Sequence, residues 1–436
     1  MKIAIVGTGV SGLVAAHRLR LDHEVVVFEA DSRVGGHANT VDVTIDGVSH
    51  AVDTGFIVYN EQNYPAFSSL LSELGVASQP TTMSFSVVDR RCGLEYRSSN
   101  LNTLFAQRRN LCQPSFIRLL TEIARFNRTA RLLVSSDQPH RTADRSPEPA
   151  ASGTRGREDE SLAEFVERHH FSDAFVSQYL VPFGASIWSA DPQTFTQFPA
   201  RAYARFMDNH GLLSLRDQPV WRTITGGSRR YVDALAASFS NQVRLSNPVH
   251  KVASSSPSGG TPGIEIAHSQ GAERFDRVLL ATHSDDALRI LADPSAAEQS
   301  ILGAISYQRN TVTLHTDERM LPVTLRARAS WNYIVDEPSG HATVTYWMNE
   351  LQGLRATKPI LVTLNGADLI DPRSVKAEFE YSHPVFDAPA MAAQRARHEI
   401  QGQRGIYFAG AYWGYGFHED GVQSGIAAAD AIGRRT

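Results

Sequence analysis

The sequence predicts an α/β fold in which a Rossmann-type parallel sheet, assembled from separated parts of the chain, carries a second region of mixed sheet and helices. Three observations predict it. A short apolar run, Lys2 to Val6, is broken by Gly7-Thr8-Gly9-Val10-Ser11-Gly12, then followed by a helical stretch from Leu13 to Leu19 and a strand from Glu24 to Phe28 that ends on Glu29. Far downstream, Val278-Leu279-Leu280-Ala281 is continuously apolar, as a strand buried on both faces must be. The chain closes on another such run, Ile406-Tyr407-Phe408-Ala409-Gly410, and a helix of small and apolar residues from Gly421 to Ile432.

The first unit is a dinucleotide-binding fingerprint in its required order. Gly7 permits the tight turn, Gly9 removes a side chain that would collide with a pyrophosphate, and Gly12 lets the helix approach the strand. The helix start at Val10 and Ser11 offers unpaired N–H groups to phosphate. Glu29 suits ribose hydroxyls, and its charge disfavours a 2′-phosphate. After Ala30 comes Asp31-Ser32-Arg33-Val34-Gly35-Gly36-His37. Backbone stripped of side chains at Gly35 and Gly36 can run against a flat ring system, and Arg33 can bring charge near the phosphates. This extension resembles the flavin amine oxidase superfamily, which includes monoamine oxidases, protoporphyrinogen oxidase and phytoene desaturases. The cofactor that the resemblance implies is FAD, bound in an amine-oxidase-like fold.

At 436 residues the chain suits two intertwined domains. The expected FAD-binding domain takes residues 1–75, 220–300 and 400–436; the substrate domain takes 76–219 and 301–399. Residues 134–160 are polar and proline-rich and read as a flexible loop between helices. Phe116, Leu119, Leu120, Ile123 and Phe126 share one helical face before it, and Leu162, Phe165 and Val166 begin another after it. Strands are expected at Asn247 to Val252 and Ile264 to Ile266 around a Gly259-Gly260 turn. Thr311 to His315 and Ala342 to Tyr346 would supply an antiparallel sheet over the flavin.

Composition bounds the rest. Hydrophobic content of 42% and charged content of 20% fit a globular enzyme. A net charge of -4 gives no reason to expect nucleic acid as a partner. Cys92 and Cys112 form no CxxC pair, and no histidine spacing suits a metal, so none is predicted. Met1-Lys2 runs straight into the first strand and no apolar run reaches membrane-span length, which predicts a cytoplasmic location. Arg108, Arg109, Arg118, Arg125, Arg128 and Arg131 make the helix before the loop basic, so a peripheral contact with anionic membrane is weighed against an ordinary solvated face.

The resemblance assigns further positions. Val249 meets the adenine through its backbone, and Thr54, Gly55, Phe56, Ala281, Thr282 and Gly410 lie along the cofactor. Asp420, Gly421 and Val422 open the helix whose N-terminus faces the flavin, with Asp420 read as its N-cap. Many relatives carry an acid where this chain has Ala411, which puts part of the usual contact in doubt. Inner strings, among them Val181-Pro182-Phe183-Gly184-Ala185-Ser186-Ile187-Trp188 and Trp221-Arg222-Thr223-Ile224-Thr225-Gly226-Gly227, look like a bacterial "predicted NAD/FAD-binding protein" subgroup. That subgroup is similar to the oxidase-like N-terminal half of plant cyclopropane fatty-acid synthases, and it implies a lipid methyltransferase as a partner.

The expected reaction is dehydrogenation or desaturation of an unsaturated or methyl-branched fatty-acyl lipid, or another hydrophobic small molecule, by hydride transfer to flavin. Tyr59, Trp188, Trp331, Trp347, Tyr412 and Trp413, with Phe56, are the candidate aromatic pocket, although each ring alone reads first as core. His418, Glu419 and His37 are the candidate proton-handling groups, with hydrogen bonding in tight loops as the alternative. Amine oxidases of this fold commonly place a lysine near the flavin, whereas lysine occurs here only at 2, 251, 358 and 376. Amine oxidation, a redox-neutral lipid isomerisation and a non-catalytic flavin-binding subunit stay open beside the lipid reading.

Overall fold

The computed structural model describes residues 1–135, 160–213, 219–255, 263–335 and 343–433. The expected loop falls almost wholly outside these, as do the Gly259-Gly260 turn and Ala342; the helix before the loop runs to Ser135.

At the centre is a five-stranded, all-parallel sheet in the order Val243–Arg244, Glu24–Phe28, Lys2–Val6, Arg277–Leu280, Ile406–Phe408. Its alternation sorts side chains into two cores. Ile3, Ile5, Val25, Val27 and Leu279 pack on one face, under the helices Val10–Leu19, Arg229–Ala237 and His418–Gly433. Ala4, Val6, Val26, Phe28, Val278 and Leu280 pack on the other, under a three-stranded antiparallel sheet of Val249–Ser255, Gly263–His268 and Gly271–Phe275. Apolar residues on both faces are why these strands read as unbroken apolar runs.

A second sheet has seven strands in the order Val375–Pro384, Tyr307–His315, Leu361–Leu364, Thr343–Trp347, Trp331–Val335, Phe85–Asp89, Leu94–Arg97. It is antiparallel as expected except where Trp331–Val335 and Phe85–Asp89 run parallel. One face meets helices that include Pro114–Ser135, Val181–Trp188 and Ala200–Asn209 in the largest apolar core.

Candidate functional site

Ligands of open parallel sheets bind beyond the carboxyl ends of the strands. Here those ends lead into Gly7, Glu29, Ala281 and Gly410, and the short edge strand leads to Val249. The glycines behave as their spacing demands. Gly7 has φ +102°, and a Cβ on it would lie 2.7 Å from the Ala281 carbonyl oxygen; one on Gly12 would lie 2.0 Å from the Gly7 carbonyl oxygen. A Cβ on Gly9 would meet nothing within 4 Å, so the chain leaves open space there.

The second helix start is brought against the first by the same means. Gly421 and Gly425 lie where a Cβ would strike Val10 Cγ1 at 2.6 Å and the Ser11 carbonyl at 2.4 Å. Two positive helix ends therefore share one place, which suits a diphosphate and an electron-rich ring edge. Val422 faces the core. Gly36 lies against Gly9, with a Cβ there 3.2 Å from the Gly9 Cα, and the backbones of His37–Asn39 and Thr54–Phe56 are hydrogen-bonded together. Thr54 adds a side-chain contact, its Oγ1 2.9 Å from the Tyr381 hydroxyl.

Several side chains do other work than expected. One Glu29 oxygen accepts from the Thr8 N–H at 2.9 Å and from its hydroxyl, and the other accepts from the Asp31 N–H at 2.9 Å, so the ribose acid also braces the glycine loop. Ala30, beside it, is exposed. Arg33 turns onto the carbonyls of Gly36, at 2.8 Å, and of Ala38, at 3.3 Å, holding the loop's shape instead of projecting toward phosphate. Glu419 accepts from the Ala66 and Phe67 N–H groups at 3.1 and 2.9 Å, which caps the helix Pro65–Glu73. Asp420 is not the N-cap: the helix starts at His418, and Asp420 accepts from the Phe417 and Tyr415 N–H groups at 2.9 and 3.0 Å. That is the backward reach of an acid in the third helical position. Burial raises its pKa to about 6.

His418 stacks on Phe56 at 3.7 Å and meets the Tyr231 hydroxyl at 2.6 Å through Nε2; burial lowers its pKa to about 3. His37 sits among His283, Tyr381 and His383, with ring centroids 5.6, 5.1 and 5.4 Å away. Burial, and the charges its histidine neighbours would carry, push its pKa well down. His383 is lowered to about 4, again chiefly by burial. His283, His383 and Tyr381 were not singled out by sequence. His283 follows Ala281-Thr282 at a strand end, where such a residue is readable; His383 ends a long strand and carries no local signal.

The expected aromatic pocket is not one chamber. Tyr59 belongs to the core beside the helix Val10–Leu19, Trp188 to the large helical core with Trp331 at its margin, Tyr412 and Trp413 to the opposite face of the parallel sheet, and Trp347 to a fourth small cluster. Sheet pleat and layer decide where a ring points, and composition carries neither. Among the described residues one set of potential metal ligands comes together, His283, Asp285 and Asp286; the two acids, Asp285 exposed and Asp286 half-buried, stand in the first turn of a helix, where its dipole favours them.

These residues fit a flavin dinucleotide. Gly7, Gly9, Glu29, Gly36, His37, Phe56, Ala281, Thr282 and His418 keep part of their surface accessible just beyond strand ends that are themselves buried at Val6, Phe28, Leu280 and Phe408, as the lining of a recess does. The buried Nε2 of His37 finds no hydrogen-bond partner in the chain.

Comparison with known proteins agrees. The family model described as "Flavin containing amine oxidoreductase" matches residues 10–433. AofH of Mycobacterium tuberculosis, assigned as a flavin-containing monoamine oxidase, is 26% identical over 67% of this chain; the match spans 59% of that protein's length. Cyclohexylamine oxidase from Brevibacterium oxydans superposes with a TM-score of 0.69 at 17% identity, covering 99% of this chain and 98% of that one. A fatty acid isomerase from P. acnes, described as CLA-producing, gives 0.66 at 14% identity, covering 99% and 97%. The two solved structures establish the fold.

Proposed function

The chain belongs to the flavin-containing amine oxidoreductase family, and from that premise we propose that this FAD-dependent oxidoreductase dehydrogenates an unsaturated or methyl-branched fatty-acyl lipid. The observation that carries the choice of substrate is the placement of lysine. Lys251, Lys358 and Lys376 are exposed and Lys2 pairs with Glu273, so none stands among the half-buried residues around the glycine loop, where amine oxidases commonly use one.

FAD, when bound, supplies the hydride acceptor. The chain binds and orients it through the two glycine-fitted helix ends, the loop at Gly35 and Gly36, and Glu29. Burial lowers the pKa of His37, His283, His383 and His418, which disfavours positive charge on this part of the chain. An uncharged lining favours an acyl segment over an ammonium ion, whose desolvation would go uncompensated.

The inner motifs' likeness to plant cyclopropane fatty-acid synthases supports the same substrate class and points to a lipid methyltransferase as working partner. Amine oxidation is the second reading, favoured by the Mycobacterium tuberculosis relative. Anaerobic mixing of the yellow protein with cellular phospholipids, and separately with alkyl amines, separates the two. The expected result is bleaching by lipid with loss of a hydrogen pair from the acyl chain. Bleaching by amines alone would overturn the lipid reading, and lipid conversion without bleaching or an electron acceptor would make the enzyme an isomerase.

A further inference from the structure

Two stretches of this chain, 97–121 and 319–335, contain neither aspartate nor glutamate, yet hold Arg108, Arg109, Arg118, Arg326 and Arg328. The fold brings both to one place, the edge strand Leu94–Arg97 of the seven-stranded sheet. The short helix Leu101–Leu104 packs on the turn Leu325–Ala327, and that turn packs on the edge strand. Arg97 donates to the Arg328 carbonyl at 2.7 Å, Arg109 donates to the Gly93 carbonyl at 2.8 Å, and the Glu95 N–H donates to Gln107 at 3.2 Å.

Large apolar side chains point outward here. Val323 is 87% exposed, Leu101 73%, Leu325 72% and Leu111 53%. The backbone that displays them is held, not loose. The buried carboxylate of Glu95 accepts from the Val323 N–H at 3.0 Å and the Thr324 N–H at 2.8 Å, and Arg328 donates to the Pro322 carbonyl at 3.0 Å. A fixed loop that leaves apolar tips in water within a basic surround matches what an anionic bilayer attracts. Glu95 is engaged by those N–H groups and Glu318 by Arg328, while the exposed Glu350 lies near Arg97 at one end of the edge strand.

The helix Pro114–Ser135, which the sequence weighs for the membrane against an ordinary solvated face, has three of its four arginines held by protein partners. Arg125 donates to the His170 carbonyl and lies over Phe171, Arg131 donates to the Leu213 carbonyl, and Arg118 pairs with Glu122. We propose that the edge around Val323 and Leu325 docks on an anionic lipid surface, the two side chains entering at headgroup depth while Arg108, Arg109 and Arg326 lie against lipid phosphates. This docking does not depend on which substrate the flavin oxidises.

The test is co-sedimentation of the flavin-loaded full chain with vesicles of phosphatidylcholine alone and of phosphatidylcholine with about 30% phosphatidylglycerol. Binding is expected only to the anionic vesicles and should weaken with salt. The double variant Val323→Asp with Leu325→Asp, checked for unchanged melting and flavin spectrum, should bind about tenfold more weakly. Should the aspartates disturb the loop, Arg326→Glu reads the electrostatic part through an exposed side chain. Failure of the wild type to bind anionic vesicles, unchanged binding in the variants, or a change of oligomeric state in place of vesicle binding would each overturn the proposal.

Discussion

Gly9 and Gly12 share one loop but answer to different neighbours. A methyl on Gly12 would be driven into the Gly7 carbonyl, whereas one on Gly9 would point into open space. Gly12→Ala is therefore expected to destabilise the flavin-free protein by about 2 kcal/mol or more, as overpacking against backbone does. Gly9→Ala should melt like wild type yet bind flavin far more weakly, which melting curves and absorbance near the flavin band will read. The close packing at Gly12 was legible because local spacing sets it; the directions taken by Glu29 and Arg33 were not, because each is set by hydrogen bonds the sequence does not display. The buried histidines make a second prediction. An unfolded histidine titrates near pH 6.5, whereas His418 is lowered to about 3 and His383 to about 4. Between about pH 6.5 and 4 the unfolded chain then binds more protons, so stability falls as pH drops, by up to about 1.4 kcal/mol per pH unit per histidine. Asp53 and Asp420, raised to about 6 by burial, act oppositely below pH 6, but His37, His283 and His315 join the first group and outnumber them. The flavin-free melting temperature should decline through this window, and less steeply in His418→Gln; a flat or rising profile would refute the assignment.

At the scale of the element, the helix His418–Gly433 shows what local pattern can and cannot specify. Its small-residue face was readable, and so was an acid near its start. Which acid caps what was not, because a cap and an acid in the third helical position look alike in sequence. Glu419 serves a different helix altogether, some 350 positions away in the chain, through Ala66 and Phe67. Glu419→Ala should therefore cost about 1–2 kcal/mol of stability, the usual loss for a cap. The rate of flavin reduction per bound flavin should stay unchanged. A collapsed rate with an unaltered melting temperature would instead make Glu419 a catalytic group. The scattered aromatics teach the same lesson: their positions were visible, but the layer each ring joins depends on strand partners such as Phe85–Asp89 and Trp331–Val335, which lie far apart in the chain.

Over the whole molecule, the parallel sheet is closed by the last part of the chain. Apolar runs announced four of its strands. The fifth, Val243–Arg244, is too short to carry any periodicity and exists because the Glu29 N–H finds the Arg244 carbonyl. The strand Ile406–Phe408 completes the order beside Arg277–Leu280, and the following helix lays Gly421 and Gly425 on the start of the first helix. Ile406, Phe408, Val422 and Ile432 are essentially inaccessible. Burying each contributes about 1.5–3 kcal/mol, so the four together rival the 5–15 kcal/mol by which a typical protein is stable. A chain ending at Gly405 would lose them, expose the edge at Val278 and Leu280, and remove one of the two helix ends at the flavin site. It should neither melt cooperatively nor hold flavin. If residues 1–405 instead purify yellow with a sharp transition, the nucleotide-binding unit closes without its C-terminal strand, and the convergence of helix ends is not what retains the cofactor.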